Sequence, residues 1–209
     1  MKTYAIMLDI RGRRVAIIGG GPVALRKARS ALEAGAIVTL VCPDPPANVP
    51  AGAAVVAERY RPEHLAGARL VFACTDDRGV NARIAQDARA AGALVNAVDQ
   101  PDDCDFFAPA LAAFGEVLIA IGTGGSAPSL AGWLRDRVAA AVPEKIAGFA
   151  AALGEIRDLL KDRVGDLDAR MAIMKHLAGP DMYDRFAAAG PGALRDEMDK
   201  AVAKHAKGR

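Results

Sequence analysis

The sequence predicts an α/β protein, and three observations predict it. Short apolar runs rich in β-branched residues alternate with helix-forming stretches from Arg13 to Val98, the rhythm of a βαβ chain. A glycine-rich turn, Gly19-Gly20-Gly21, stands between the first of these runs and the first helix. Beyond Pro143 the strand signals stop and helix-forming sequence runs to the end, so a helical region closes the chain.

Composition bounds the answer. At 209 residues the chain has ample material for a core. Its net charge of +2 and aromatic share of 5% argue against a dedicated nucleic-acid binder, which needs a basic surface and stacking platforms. No apolar run reaches the length of a membrane span. The start, Met1-Lys2-Thr3-Tyr4, lacks a signal-peptide core. Cys42, Cys74 and Cys104 are odd in number and lie far apart, with no C-x-x-C pair and no finger spacing. Reduced thiols in a cytoplasmic protein are the expectation, with no metal site.

Tyr4–Ile10 reads as a strand ahead of the glycine turn. Val15–Ile18 reads as a buried strand, and Gly19-x-Gly21-x-x-Ala24 fits the dinucleotide fingerprint G-x-G-x-x-G/A. Gly19 makes the tight turn, Gly21 lets a pyrophosphate approach the backbone, and Ala24 lets helix and strand pack closely. The helix that follows opens with Pro22, whose missing N–H costs nothing there, and ends at Gly35. Its N-terminus offers unpaired N–H groups to phosphates. Glycine turns also end strands for structural reasons, but the strand–turn–helix setting favours a Rossmann-like dinucleotide site. Ala36–Cys42 forms the next strand and delivers Pro43-Asp44, near where such domains hold the ribose hydroxyls. Asp44 lies a residue or two late for that role. No arginine stands at that point for a 2′-phosphate, which favours NAD over NADP.

Ala54–Arg59 reads as a short strand and Pro62–Ala66 as a helical turn. Ala68–Thr75 is another buried strand, ending in Thr75-Asp76-Asp77, at the strand end where open parallel sheets bind ligands. Asp76 or Asp77 also suits the cap of the next helix, Val80–Ala91. Leu94–Val98 completes five strands, and Phe106–Leu111 and Val117–Ile121 read as two more. The second glycine loop, Thr123-Gly124-Gly125-Ser126, leads into an amphipathic helix, Ser129–Val142, with Leu130, Trp133, Leu134 and Val138 on one stripe. That stripe suits core or a subunit contact. Lys200–Arg209 is basic and reads as a fraying end.

Asp99 ends an apolar strand in the loop Asp99-Gln100-Pro101-Asp102-Asp103-Cys104-Asp105. An aspartate there can take a proton from a substrate while a cofactor takes a hydride. The plain alternative is a solvated loop carboxylate, the expectation for Asp102, Asp103 and Asp105. His64, His176 and His205 have no partner at ligand spacing. Arg135 and Arg137 suit an anionic substrate or simply a solvated face.

Set in order, these motifs resemble the precorrin-2 dehydrogenase family of tetrapyrrole biosynthesis, including the N-terminal half of siroheme synthase and a bifunctional dehydrogenase/ferrochelatase. The matching pieces are Gly19–Ala24 with Arg26-Lys27-Ala28, then Leu32–Ala36, Ala73–Asp77 with Asn81, Asn96–Pro101, Cys104-Asp105-Phe106, Pro109-Ala110 and Gly122–Pro128. The resemblance covers roughly residues 4 to 160. It implies NAD-dependent oxidation of precorrin-2 to sirohydrochlorin, with Asp99 as the important acidic residue and metal insertion as an open second activity. It implies NAD contacts at Pro22, Val23, Pro43 and Asp44, which join Gly19 and Gly21 of the fingerprint and the strand-end Thr75 and Asp76 as the cofactor-binding set. Substrate contacts fall at Thr123, Gly124 and Arg135, with Arg137 and Lys145 as further rim cations, since precorrin-2 is a polycarboxylate. It also implies an NAD-binding domain over 1–113, a segment over 114–148 that makes a homodimer, and a helical domain over 149–209. Thr123 stands where siroheme synthases carry a phosphorylated serine. The chain stops at Arg209, without room for the methyltransferase half, so a stand-alone dehydrogenase is expected. The alternative of another class is a nucleotide-sensing Rossmann module that docks on a partner. Such a module needs the Gly19 turn but has no need of Asp99 or of Gly122–Pro128.

Overall fold

The computed structural model describes residues 3–207. They divide into two compact units, one running up to residue 108 and including 124–126, the other made of 109–123 and the residues from 127 onward.

The first unit is a five-stranded parallel sheet: β1 (Arg14–Ile18), β2 (Ile37–Val41), β3 (Ala54–Val56), β4 (Ala68–Ala73) and β5 (Leu94–Ala97), in the order β3-β2-β1-β4-β5. Helices α1 (Pro22–Glu33) and α2 (Arg78–Ala90) supply the crossovers, and a 3-10 turn spans Pro62–Leu65. Apolar β1 works on both faces, which is why it reads as an unbroken apolar run rather than an alternating one. Val15 and Ile17 join the core cluster with Ala24, Leu25 and Ala28 of α1. Ala16 and Ile18 join the one with Ile84, Ala85 and Ala88 of α2. Alanine at the helix contacts lets both helices lie close against the sheet. The strand order turns back between β1 and β4, and a crevice opens beyond the carboxyl ends of the strands at such a reversal.

The second unit pairs β6 (Ala110–Phe114) with β7 (Val117–Ile121) as an antiparallel hairpin, followed by α3 (Pro128–Ala141). Four more helices complete it: α4 (Ile146–Arg163), α5 (Leu167–Leu177), α6 (Pro180–Ala189) and α7 (Pro191–Lys207). Phe149, Ala152, Ile156 and Leu160 recur along one face of α4 and meet Ile173, Leu177, Met182, Phe186, Leu194 and Met198. The Phe149 ring meets Tyr183 edge-on and Phe186 at a tilt, both at 5.4 Å. Among the described residues no helix is long and apolar enough to cross a membrane.

Three elements differ from the sequence expectation. Residues 4–10 form no strand: Tyr4 is 90% exposed, and only Ile10 enters the core. Alternating apolar residues make no strand without a sheet edge to pair with. β6 begins at Ala110 rather than Phe106, because residues 105 and 106 are bonded sideways to β5 instead: Asp105 N–H donates to the Val95 carbonyl at 2.8 Å, and Asn96 Nδ2 donates to the Phe106 carbonyl at 2.9 Å. The basic end is helical to Lys207, with Leu194 and Met198 of α7 anchored in the bundle core; residues 208–209 lie outside the described part.

Candidate nucleotide cleft and the Asp99 loop

The β1–α1 turn is built by steric necessity. Gly19 has φ +126°, and a Cβ there would lie 2.3 Å from the Cys74 carbonyl oxygen. Only glycine lets β1 turn this close to the end of β4. Gly21 is the opposite case, since a Cβ there would meet nothing within 4 Å. α1 has no side-chain cap, whereas α2 is capped by Asp77, whose Oδ1 accepts from Gly79 N–H at 2.7 Å and Val80 N–H at 3.1 Å. The α1 start therefore presents orphan donors and its positive dipole end to open space, the arrangement a pyrophosphate requires.

A cleft of about 620 Å³ lies beside that turn. It gathers Gly19, Gly21, Pro43, Asp44, Thr75 and Asp76 of the sequence-predicted set. Pro22 lines an adjoining hollow, with Gly20 common to both, and Val23 follows it on α1. Glu58, Arg59, Tyr60, Asp77 and Arg83 are among the other residues of its wall. Arg59 arrives from beyond β3 and not from the end of β2, so local sequence around Asp44 could not reveal it. The Tyr60 hydroxyl donates to Asp87 Oδ2 at 2.8 Å, and burial together with that bond pushes its pKa well above the usual tyrosine value.

Thr75 is locked in place by Asn81, a polar side chain only 2% exposed. Asn81 Oδ1 accepts from Thr75 N–H at 3.1 Å and from Thr75 Oγ1 at 2.7 Å, and its Nδ2 donates to the Thr75 carbonyl at 3.0 Å. Beside it, Cys74 is pushed up to about 11 by burial, opposed by nearby Lys27 and Arg26. Lys27 Nζ sits 5.4 Å above the Phe72 ring, and burial lowers its pKa. Burial and nearby Asp44 likewise push the Cys42 thiol up.

Asp99 does not line the cleft. It is exposed in the loop after β5, and it is the one non-glycine residue with positive φ among the described residues, at +58°. Aspartate tolerates that region better than most residues, at a cost of about 1 kcal/mol. The loop is fastened around it. Val98 N–H donates to the Ala73 carbonyl at 3.0 Å. Cys104 Sγ accepts from Ala97 N–H at 3.3 Å and lies 3.1 Å from the Ala97 carbonyl. Asp105, expected as a solvated carboxylate, is instead a tie, accepting from Val95 N–H at 3.0 Å and from Arg89 Nε at 2.9 Å.

In the second unit, Thr123 Oγ1 accepts from Ala127 N–H at 3.2 Å, ahead of α3. Gly124 has φ +62° and groups with the first unit. Arg135 is paired with Asp136 at 2.7 Å. Lys145 Nζ donates to the Ala187 carbonyl at 2.6 Å, near the end of α6. Among the described residues no three His, Cys, Asp or Glu side chains converge on a point where a metal would sit.

Residues 6–110 match the model of a family described as "Putative NAD(P)-binding". The siroheme synthase of Chromobacterium violaceum is 36% identical over 212 residues, covering 97% of this chain and 44% of that protein. Siroheme synthase 2 of Aeromonas salmonicida is 40% identical over 164 residues, covering 77% and 34%. This chain thus spans less than half the length of the curated relatives it matches. Among solved structures, SirC, a precorrin-2 dehydrogenase, superposes with a TM-score of 0.77 at 22% identity, covering 95% of this chain and all of that one; this likeness establishes the shared fold. With the glycine turn, the strand-end cleft and the match over 6–110 in agreement, the chain belongs to the NAD(P)-binding family.

Proposed function

We propose that this protein is an NAD-dependent dehydrogenase that oxidises precorrin-2 to sirohydrochlorin, with Asp99 as its acid–base residue. The observation that carries the reading is the Asp99 loop: a lone left-handed carboxylate, fastened on both sides, at the end of the strand next to those that form the nucleotide cleft. The curated siroheme synthases it matches support the substrate. Gly21 and the uncapped start of α1 fit a pyrophosphate, and Asp44 fits the ribose hydroxyls.

Oxidation removes a hydride and a proton. The nicotinamide, when bound, accepts the hydride. The protein's own task is the proton: Asp99 takes it directly or through a water. Thr123, Gly124 and Arg135 are proposed to contact the substrate, Arg135 through a carboxylate. In a chelatase reaction the same Asp99 would accept pyrrole protons as Fe²⁺ or Co²⁺ enters as substrate.

A homodimer, cytoplasmic in this reading, is proposed through residues 114–148, which carry β7 and α3, with β6 of the same hairpin alongside. Trp133 is 59% exposed, and Leu111, Leu118, Leu130 and Val138 are exposed with it. The exposed apolar side chains of this hairpin and the helix after it support an interface.

The test is anaerobic incubation with precorrin-2 and NAD⁺, following NADH and sirohydrochlorin, then addition of Fe²⁺ or Co²⁺. NADH with sirohydrochlorin is expected, and metal-dependent loss of sirohydrochlorin above the no-enzyme rate would add the chelatase. NAD⁺ binding without turnover would overturn the reading in favour of a nucleotide-sensing module.

A further inference from the structure

We propose that Gln100 is a positioning residue: it sets the direction of the Asp99 carboxylate by tying the backbone just after Asp99 to the start of α2. The inference rests on the reading of Asp99 as the acid–base group.

Gln100 is 8% exposed, and its side chain turns inward in a loop whose other polar side chains face water or tie its ends. Its Nε2 donates to the Arg78 carbonyl at 3.1 Å and to Asp103 Oδ2 at 3.0 Å. Its Oε1 is buried without a hydrogen-bond partner among the described residues. A buried amide with one end unsatisfied lowers stability. A leucine or methionine would fill the volume without that penalty, so the amide's worth lies in the two bonds it makes.

Those bonds act on Asp99. A residue at φ +58° keeps that conformation only when its neighbours are held. The residue before it, Val98, is held by the Ala73 carbonyl. After it, the Gln100 backbone is held by a 3.3 Å bond from its N–H to the Ala97 carbonyl and by Asp103 N–H at 3.0 Å on its own carbonyl. The first ties it to the end of β5 and the second lies within the loop, so neither reaches the wall of the cleft. The bond to Arg78 ties the residue next to Asp99 to the start of α2, whereas the other tie to that helix, Asp105 to Arg89, lies at the far end of the loop. Arg78 lies between Asp77 and Val80, which line the nucleotide cleft. Gln100 therefore fixes Asp99 relative to the cleft wall rather than merely within its own turn.

The experiment uses the full chain with Gln100→Met, which keeps the bulk and loses both bonds, beside Asp99→Asn. For Gln100→Met, kcat should fall about tenfold, with KM for precorrin-2 and the NAD⁺ affinity within about twofold. The acidic limb of the kcat–pH profile should shift, because a redirected carboxylate meets a different field. A fall in Tm with kcat per folded molecule and pH profile unchanged would make Gln100 structural only and overturn the inference. Should Gln100→Met fail to fold, Asp103→Ala removes one of the two bonds at a half-buried position. It should lower kcat in the same direction at unchanged Tm, and wild-type kcat there would overturn the inference. An active Asp99→Asn enzyme overturns the Asp99 reading and this inference with it. An inactive Asp99→Asn beside wild-type Gln100 variants overturns this inference alone.

Discussion

A Cβ on residue 19 would lie 2.3 Å from the Cys74 carbonyl oxygen, whereas one on residue 21 would touch nothing within 4 Å. Two glycines of one turn thus have different reasons to be glycine. Gly19→Ala should destabilise the protein by about 3 kcal/mol, measured by urea denaturation, since both a clash and a positive φ must be relieved. Gly21→Asp should keep the fold and abolish nucleotide binding by bulk and charge. Calorimetric titration with NAD⁺ and circular dichroism on the same samples would separate the two; a Gly21→Asp protein that still binds NAD⁺ would refute the placement of the pyrophosphate.

Asn81→Ala strips three hydrogen bonds from Thr75 in a buried setting. Stability should drop by about 2 kcal/mol, and the NAD⁺ affinity should fall with it because Thr75 lines the cleft. Chemical denaturation and binding isotherms measure both.

Asp99 carries a conformational cost that glycine would not. Asp99→Gly should exceed Asp99→Ala in stability by about 1 kcal/mol, as alanine tolerates φ near +58° poorly. Both variants should bind NAD⁺ and neither should turn over. Equal melting temperatures would mean that the left-handed turn relaxes when the carboxylate is removed.

The Cys74 thiol gives a pH signature. Its pKa rises from an ordinary value of 9.0 to about 11 in the folded chain, chiefly through burial. Below pH 9 both states keep the proton and the group is silent. Between pH 9 and 11 the unfolded chain ionises first, so stability falls as pH rises. Cys74→Ala should flatten part of that alkaline decline in a melting series, and the native thiol should react slowly with iodoacetamide at pH 7.

If α3 and the hairpin form a dimer interface, Trp133→Asp should yield monomers with the fold intact. Sedimentation velocity reads this directly, and a monomeric wild type would refute the interface.

Most of the fold was legible because its signals are local. Val15–Ile18, the three glycines and Pro22 announce strand, turn and helix within a dozen residues. What stayed hidden depends on partners far along the chain. Residues 4–10 have the look of a strand, and no sequence pattern shows that no sheet edge receives them. Arg59 and Tyr60 reach the nucleotide cleft from beyond a strand of three residues. Asp105 reads like its neighbours Asp102 and Asp103, and only the fold brings Arg89 and the Val95 amide to it. Asn81 and Gln100 were visible as letters, but a buried amide is recognised only when the core around it is known.

Cys104 joins the two ends of the Asp99 loop through one sulfur, touching the Ala97 amide and carbonyl and, at 3.3 Å, the Gln100 carbonyl. That fastener is chemically perishable. Burial and the neighbouring carboxylates push its thiol pKa up, so oxidants and alkylating agents reach it slowly. Once the sulfur is capped or oxidised it can no longer bridge those groups, and the loop is released while the sheet and both of its helices stand. Slow modification of this one thiol would therefore cost the loop its fastening while the sheet stands, and a normal melting curve would not reveal the loss.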